Sequence, residues 1–199
     1  MKQHLDKLHS INLSPSSINS FLYNKESWFE SFIIGTFVDS EEMKFGRMID
    51  LKIQNDPTFL PKLPRYEKMQ EKLSVVLSGI KLVGKPDGFN LIKSFDLWDY
   101  KTGRNAWTQK KVNDCIQLKF YLLLIYITYK IPPEKFTCGI HWLPTKKEEN
   151  GDFKVTISLI KEDDIKSFNT KYTMADILSL IKDIKDIYKK MELYCKKHE

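Results

Sequence analysis

The tripeptide Asp99-Tyr100-Lys101 combines two residue types that can act together on a phosphodiester bond. If it lies in a β-strand, Asp99 and Lys101 project from one face, because strand side chains alternate with a period of two. A carboxylate can hold a divalent cation that polarises a phosphate oxygen and activates water, and a neighbouring lysine can stabilise the charge that develops. The spacing alone is weak evidence, because the chain contains six acid-x-Lys matches and about four are expected by chance from its composition. The residues around each match must therefore show which of the six is part of a catalytic site.

The residues around Asp99 favour this match. Phe95 and Leu97 precede it at alternate positions, so the charged pair would lie at the exit of a buried strand. Upstream, GKPD (84–87) ends another apolar segment, and a hairpin-like return of the chain would bring Asp87 beside Asp99. Two converging carboxylates repel each other unless a cation joins them, and oxygen ligands suit Mg²⁺ or Mn²⁺. Taken alone, Asp87 also fits a turn residue in Pro-Asp-Gly, and that alternative stays open.

Further polar residues could complete such a site. Gln117 and Tyr121 are four residues apart among apolar residues of a predicted helix, so they share one face and either bond each other or reach into a cleft. Asp50 lies on another predicted helix, four residues after Gly46. A glycine at that position would let the helix approach a neighbouring backbone closely.

The elements that must position these residues follow from hydrophobic periodicity, caps and turns. Helices are predicted at residues 14–33, 40–54 and 108–130, and from a capping box at residues 173–176 to near the C-terminus. Strands are predicted at residues 73–77, 80–84, 95–101, 136–143 and 153–160, with a polar turn at 146–152. Three prolines place a loop at residues 55–66. This order predicts an α/β fold in one domain over residues 1–199, with a central mixed β-sheet flanked by helices.

Composition narrows the class of protein. The 199 residues are 42% hydrophobic and 29% charged, which suits a folded core and excludes a disordered chain. The formal net charge of +6 permits a polyanionic partner. Three widely spaced cysteines build neither a disulfide framework nor a four-thiolate metal site, and no segment has the character of a signal sequence or a membrane span. We therefore expect a cytoplasmic protein in a reducing compartment, with no membrane association.

Taken together, these segments resemble the RecB-like branch of the PD-(D/E)xK nuclease superfamily. The matching segments, in the family's order, are LSPSSINSFL (13–22), FGRMID (45–50), GKPD (84–87), DYKTG (99–103) and QLKFY (117–121). The resemblance implies a restriction-endonuclease-like core and cleavage of DNA that depends on Mg²⁺ or Mn²⁺. It also implies that Asp87 and Asp99 are metal ligands and that Lys101 is the catalytic lysine. Gln117 and Tyr121 would support the site and contact DNA.

Two features depart from the family pattern. The family often has histidine where this chain has Asp50, and because aspartate can bind the same hard cation, we expect Asp50 to be a third metal ligand. Several members hold an iron–sulfur cluster on four cysteines, the first of which would fall near Asn24 and Lys25. Because neither position is cysteine and no cysteine cluster lies near the C-terminus, we expect no iron–sulfur cluster.

Basic and aromatic residues near these motifs could bind DNA. Arg104, Lys110 and Lys111 are close to the motif in sequence and could hold phosphates, although a solvated lysine-rich surface explains them equally well. Trp107 could stack on an unpaired base, but core packing is the simpler interpretation. His141 lies in an apolar strand and is expected to be a buried core histidine.

These inferences predict a stand-alone DNA nuclease. An exonuclease acting on DNA ends is favoured over a sequence-specific endonuclease, because a small core without an added recognition domain suits reading of ends and backbone. Its pathway would be DNA repair, recombination or replication. The alternative is a catalytically silent DNA-binding or assembly module on the same core. The set of Asp87, Asp99 and Lys101 argues against that alternative, because a silent module need not keep two neighbouring carboxylates.

Overall fold

A mixed five-stranded sheet forms the centre of the computed structural model, which describes residues 3–36, 39–145 and 160–199. The strands are β1 (Lys68–Met69), β2 (Leu73–Leu77), β3 (Ile80–Gly84), β4 (Gly88–Asn90), β5 (Asp96–Gly103), β6 (Thr137–Pro144) and β7 (Lys166–Thr170). The α-helices are α1 (Gln3–Ser10), α2 (Pro15–Tyr23), α3 (Lys25–Trp28), α4 (Glu41–Asn55), α5 (Gln109–Asn113), α6 (Ile116–Tyr129) and α7 (Met174–Lys197). A π-helix (Phe29–Ile34) continues α3, and two 3₁₀ turns lie at Pro133–Lys135 and Glu162–Asp164.

The order of the strands in the sheet is β1-β4-β5-β6-β7, and β5 is its central strand. β5 pairs with β6 in parallel, through a crossover that contains α5 and α6, and the other neighbours pair antiparallel. Gly88 of β4 pairs with Trp98 of β5. One step further along this antiparallel register, Asp87 lies across from Asp99, as the hairpin-like return predicts.

Two hydrophobic cores cover the two faces of the sheet. Leu97 belongs to the larger core, with the buried side chains of α2, α6 and α7. Tyr100, an odd number of positions away and therefore on the opposite face, belongs to a smaller core with Ile49 and Ile53 of α4. The predicted α/β class, a mixed sheet flanked by helices, is confirmed. No helix in the described ranges is long and apolar enough to cross a membrane.

A separate two-stranded hairpin, β2–β3, positions the start of α2. It turns at Ser78 and Gly79, which have φ angles of 50° and 81°. Leu13 joins the edge of β3, since its N–H donates to the Lys81 carbonyl at 2.8 Å and its carbonyl accepts from the Val83 N–H at 2.9 Å. Ser14 then caps α2 by accepting a hydrogen bond from the Ser17 N–H, as predicted. The first turn of α2 therefore lies beside the end of β3.

Two predicted helices are divided in the structure. The helix predicted at 14–33 is interrupted at Asn24, whose side chain accepts from the N–H groups of Glu26 and Ser27 and so starts α3. The helix predicted at 108–130 divides into α5 and α6 after Asp114. The first break depends on side-chain capping by Asn24, which hydrophobic periodicity does not report, whereas no side chain in the described ranges caps the start of α6 at Cys115.

The remaining predicted elements agree except at short strands. α4 with its Ser40 cap, β2, β3, β5, β6 and the capping box at Thr173 lie within about two residues of the predicted bounds. α1, β1, β4 and β7 were not predicted. The turn at 146–152 and residues 153–159 of the last predicted strand lie outside the described residues.

Candidate active site

Two buried carboxylates lie together: Asp87 directly precedes β4, and Asp99 lies in the middle of β5 rather than at its predicted exit. Asp87 is 7% exposed and Asp99 is 1% exposed, whereas aspartates are rarely buried unless they are paired. Lys101 projects from the same face of β5 as Asp99, and its Nζ lies 2.5 Å from Asp99 Oδ2. The structure therefore brings together the three residues on which the predicted chemistry depends.

The Asp87 carboxylate is held by hydrogen bonds to both of its oxygens. The N–H of Tyr100 donates to Oδ2 at 2.7 Å, and Nε2 of Gln70 donates to Oδ1 at 2.5 Å. Gln70 follows the two-residue strand β1 and has a φ of 54°, in the left-handed region. Its role was missed, because neither a two-residue strand nor an isolated glutamine gives a sequence signal. Burial and the Asp99 and Asp50 carboxylates raise the pKa of Asp87 well above its usual value.

The two oxygens of the Asp99 carboxylate differ in their partners: one accepts a hydrogen bond and the other accepts none from the residues that the structure describes. Nε2 of Gln117 donates to Oδ1 at 3.0 Å. Oδ2 is buried and accepts no hydrogen bond of acceptable geometry from the described residues, so the Lys101 ammonium beside it forms an ion pair without a well-directed hydrogen bond. The ion pair offsets part of the cost of burying this oxygen, and a divalent cation could satisfy it further.

Gln117 and Tyr121 form a short chain of hydrogen bonds that ends on Asp99. Nε2 of Gln117 also donates to the Tyr121 hydroxyl at 2.9 Å, so both options of the predicted shared face occur: the two residues bond each other and reach the site. The Tyr121 ring packs on β3 at Gly84, where an added Cβ would lie 2.9 Å from the ring and 2.7 Å from Leu124. Burial, and then the Asp99 charge, raise the pKa of the Tyr121 phenol, so it stays protonated at neutral pH.

Asp50 approaches the pair from α4, on the other side of β5. Burial, and then the charge of Asp99, raise its pKa to about 6, so it lies within electrostatic reach of the site. Yet no group of three or more His, Cys, Asp or Glu side chains in the described part of the chain is preformed around a common metal position. The third-ligand role of Asp50 stays a prediction. At Gly46 an added Cβ would lie 3.4 Å from Thr102 Oγ1, an ordinary contact, so glycine is not sterically required there.

Lys101 is held in its charged form. Burial by itself lowers the pKa of a lysine, but the Asp99 and Asp87 carboxylates outweigh it and raise the pKa of Lys101 above its usual value. Its side chain is still 28% exposed. The ammonium can therefore meet a bound phosphate while it remains protonated.

The donor set fits a hard divalent cation. All the candidate ligand atoms are carboxylate oxygens, the ligands that Mg²⁺ and Mn²⁺ prefer, and among the described residues Asp99 Oδ2 has the Lys101 ion pair but no hydrogen bond. Asp87 and Asp99 would be the primary ligands, with Asp50 as the predicted third.

Asp50→Asn is expected to raise the melting temperature of the metal-free protein at pH 7.5 by roughly 2–6 °C. A carboxyl group whose folded-state pKa is raised stabilises the fold at low pH and loses that contribution as pH rises through the folded value, here about 6. The gain should therefore shrink at pH 5. Thermal unfolding in EDTA at both pH values measures it, with the exposed Asp183→Asn on α7 as the matched control. An equal gain at both pH values would contradict the assigned cause.

Two cavities open on either side of Lys101 and share it with Asn19 and Gln117. The first, of about 620 Å³, runs between the start of α2 and the end of β3, where Lys72 and Lys85 line it. The second, of about 640 Å³, extends to α5. The involvement of α2 was not anticipated, since the LSPSS segment gave only a helix start by sequence reasoning.

Of the three basic residues predicted to hold phosphates, two line the second cavity and the third lines neither cavity. Lys110 and Lys111 line the second cavity, and Arg104 is exposed just after β5.

His141 is a buried core histidine, as expected. It bonds the Tyr66 hydroxyl and Ser167 Oγ, both at 2.7 Å, and burial lowers its pKa to about 4.

Comparison with known proteins identifies the family of the chain and agrees with its fold. The family model of the PD-(D/E)XK nuclease superfamily matches residues 20–191. Among solved structures, a candidate exonuclease from Eubacterium rectale superposes with a TM-score of 0.57 at 14% identity, covering 91% of this chain and 81% of its own. A phage-related exonuclease from Haemophilus somnus 129PT gives a TM-score of 0.50 at 10% identity, covering 100% and 95%. No curated protein matches the sequence. At these identities the two structures show a shared fold, and the predicted restriction-endonuclease-like core is confirmed.

Proposed function

Because the chain belongs to the PD-(D/E)XK nuclease superfamily, we propose that it is a Mg²⁺- or Mn²⁺-dependent deoxyribonuclease that hydrolyses phosphodiester bonds at DNA ends. One observation carries the proposal: the buried Asp87–Asp99 pair, with Lys101 beside it and Asp99 Oδ2 lacking a hydrogen bond among the described residues. Two neighbouring buried carboxylates are unfavourable in a purely structural role, because their negative charges repel each other. A divalent cation bound between them would relieve that repulsion.

Each residue of the site would have a separate role in hydrolysis. Asp87 and Asp99, joined by Asp50, would hold the divalent cation, which when bound supplies polarisation of the phosphate and a water of lowered pKa. Lys101 keeps its proton on Nζ and donates it in a hydrogen bond to a phosphate oxygen, where negative charge accumulates during attack. Gln117 fixes the orientation of the Asp99 carboxylate and so the direction in which Oδ2 points.

The exonuclease part of the proposal is supported by fold and surface. Both comparison structures come from proteins described as exonucleases, although the likeness is one of fold. The lysines around the cleft, Lys72, Lys85, Lys110 and Lys111, suit contact with phosphates, which carries no sequence information. Processing of DNA ends would place the protein in repair, recombination or replication.

End-labelled DNA tests the proposal directly. Purified protein is incubated with Mg²⁺ or Mn²⁺ and with linear and circular DNA, each single- and double-stranded, with EDTA as the control. We expect mononucleotides or short oligonucleotides from linear DNA, and circular DNA left intact. Cleavage of circular DNA would show that the protein is an endonuclease and not an exonuclease. Binding without any cleavage would favour the catalytically silent DNA-binding module.

Gln117→Ala and Tyr121→Phe are expected to lower the rate of cleavage by about 3- to 30-fold, well short of the effect of losing a metal ligand. Neither side chain is a good metal ligand at neutral pH, so both act by orienting Asp99. Single-turnover rates measure the loss, and the free energy of unfolding provides the control. A lower melting temperature with unchanged specific activity would show instead that both are only buried polar residues of the core.

The purified protein is expected to contain no iron–sulfur cluster. Such a cluster needs four cysteine ligands, and the three cysteines are buried at separate places: Cys115 just before α6, Cys138 in β6 and Cys195 in α7. Iron and sulfide analysis and the visible absorbance spectrum measure this. Stoichiometric iron and sulfide in a brown protein would overturn the expectation.

A further inference from the structure

The cavity beside α5 has a wall that phosphate binding alone does not explain. Trp107 lines it while part of the indole packs against the larger core, so the ring is half-buried and held in place. Lys110 and Lys111 lie on the same wall, and Asp114 faces the same space. The cavity also reaches Lys101, so whatever fills it lies next to the reacting phosphate.

The mixture of groups fits a nucleobase better than a phosphate. An indole offers a flat apolar surface on which any base can stack. A carboxylate such as Asp114 repels a phosphate but accepts a hydrogen bond from the exocyclic amino group of adenine, cytosine or guanine. The volume of about 640 Å³ lies in the range of sites for small organic ligands.

The two lysines supply the complementary part of the site. Lys110 and Lys111 are exposed on α5, so their ammonium groups can follow the backbone of a strand whose base enters the cavity. A base inside a duplex is stacked and paired, and cannot enter a pocket without being extruded.

We propose that this cavity binds one unpaired nucleobase, stacked on Trp107, beside the phosphate held at Lys101. The inference rests on the proposed function and adds the class of substrate to it. The protein acts on DNA whose terminal nucleotides are unpaired, as in a single strand or an overhang, and binds a blunt duplex less well.

Binding to DNA that is not cleaved tests the pocket separately from catalysis. In an Asp99→Asn background, affinity is measured for a single-stranded oligonucleotide and for a blunt duplex of the same sequence. Trp107→Leu should weaken single-strand binding by about 5- to 100-fold, and duplex binding by less than about 3-fold, because phosphate contacts remain. Trp107→Phe, which keeps an aromatic ring, should recover part of the loss. Tyr23→Leu removes a 94% exposed aromatic outside the cavity lining and is the matched control.

A second measurement covers the case in which Trp107→Leu does not fold. The single strand should quench the tryptophan fluorescence of the full chain, and the quenching should be largely lost in Trp107→Phe. Unchanged quenching, or equal loss of single-strand and duplex affinity, would overturn the base pocket. If the wild-type chain cleaves no DNA but Trp107→Leu still weakens single-strand binding, the base pocket is retained and the nuclease is refuted. If the wild-type chain cleaves DNA but single-strand affinity does not depend on Trp107, the nuclease is retained and the base pocket is overturned.

Discussion

Asp99→Asn is expected to lower the rate of DNA cleavage by at least about 10³-fold while DNA binding persists. Asparagine keeps the size of the side chain and an oxygen that can accept the hydrogen bond from Gln117. It removes the negative charge that would hold the cation, and with it the activation of water and the stabilisation of the phosphate. The loss should therefore appear in kcat rather than in affinity for DNA.

Single-turnover cleavage and equilibrium binding measure the two effects separately. The control is Asp96→Asn, three residues earlier on β5, where the carboxylate bonds Ser94 and Asn90 rather than the site. Asp96→Asn should leave cleavage within about 3-fold of the wild-type rate. Wild-type cleavage by the Asp99 variant would refute the site as described. Equal losses in both variants would indicate damage to β5 instead of lost chemistry.

Lys101→Met is expected to lower cleavage by about 10²- to 10³-fold. Methionine keeps an unbranched apolar chain of similar length but removes the ammonium that would meet the phosphate. Because the Asp99 and Asp87 carboxylates keep Lys101 protonated, the wild-type contribution should not change between pH 6 and pH 9. The defect of the methionine variant should be equally large across that range.

Lys101→Arg tests whether the charge alone suffices. The planar guanidinium has a different reach and donor geometry from an ammonium, so we expect partial activity between that of methionine and lysine. Lys182→Met, on the exposed side of α7, is the control for the loss of one positive charge. An activity of Lys101→Met close to wild type would remove Lys101 from the catalytic set.

Residues close together in the chain were predictable because local geometry decides their relation. The alternation of a strand puts Asp99 and Lys101 on one face whatever surrounds it, and the helical repeat does the same for Gln117 and Tyr121. The short segment between Asp87 and Asp99 allowed only a tight return, so their proximity also followed from the sequence. The same reasoning predicted the α/β class, since strands and helices follow one another along the chain.

The relations between distant segments were decided by tertiary packing. Gln70 reaches Asp87 only because the two-residue strand β1 pairs with β4, and nothing in its own segment signals that pairing. α2 borders the cleft because Leu13 pairs with the edge of β3. Likewise, the distance of Asp50 from the carboxylate pair depends on how α4 packs across β5, which the FGRMID segment does not contain.

The difference between the relations that the sequence predicts and those that tertiary packing decides has one physical cause. Spacing within a strand or a helix is set by backbone geometry that every sequence shares, so the sequence by itself determined the chemical groups of this site and the face on which each pair lies. Hydrogen bonds and packing between segments depend on side chains far apart in the chain, and each is weak enough to be overruled by its neighbours. Only the tertiary structure, by summing them, decided that one oxygen of Asp99 meets Gln117 while the other accepts no hydrogen bond from the described residues.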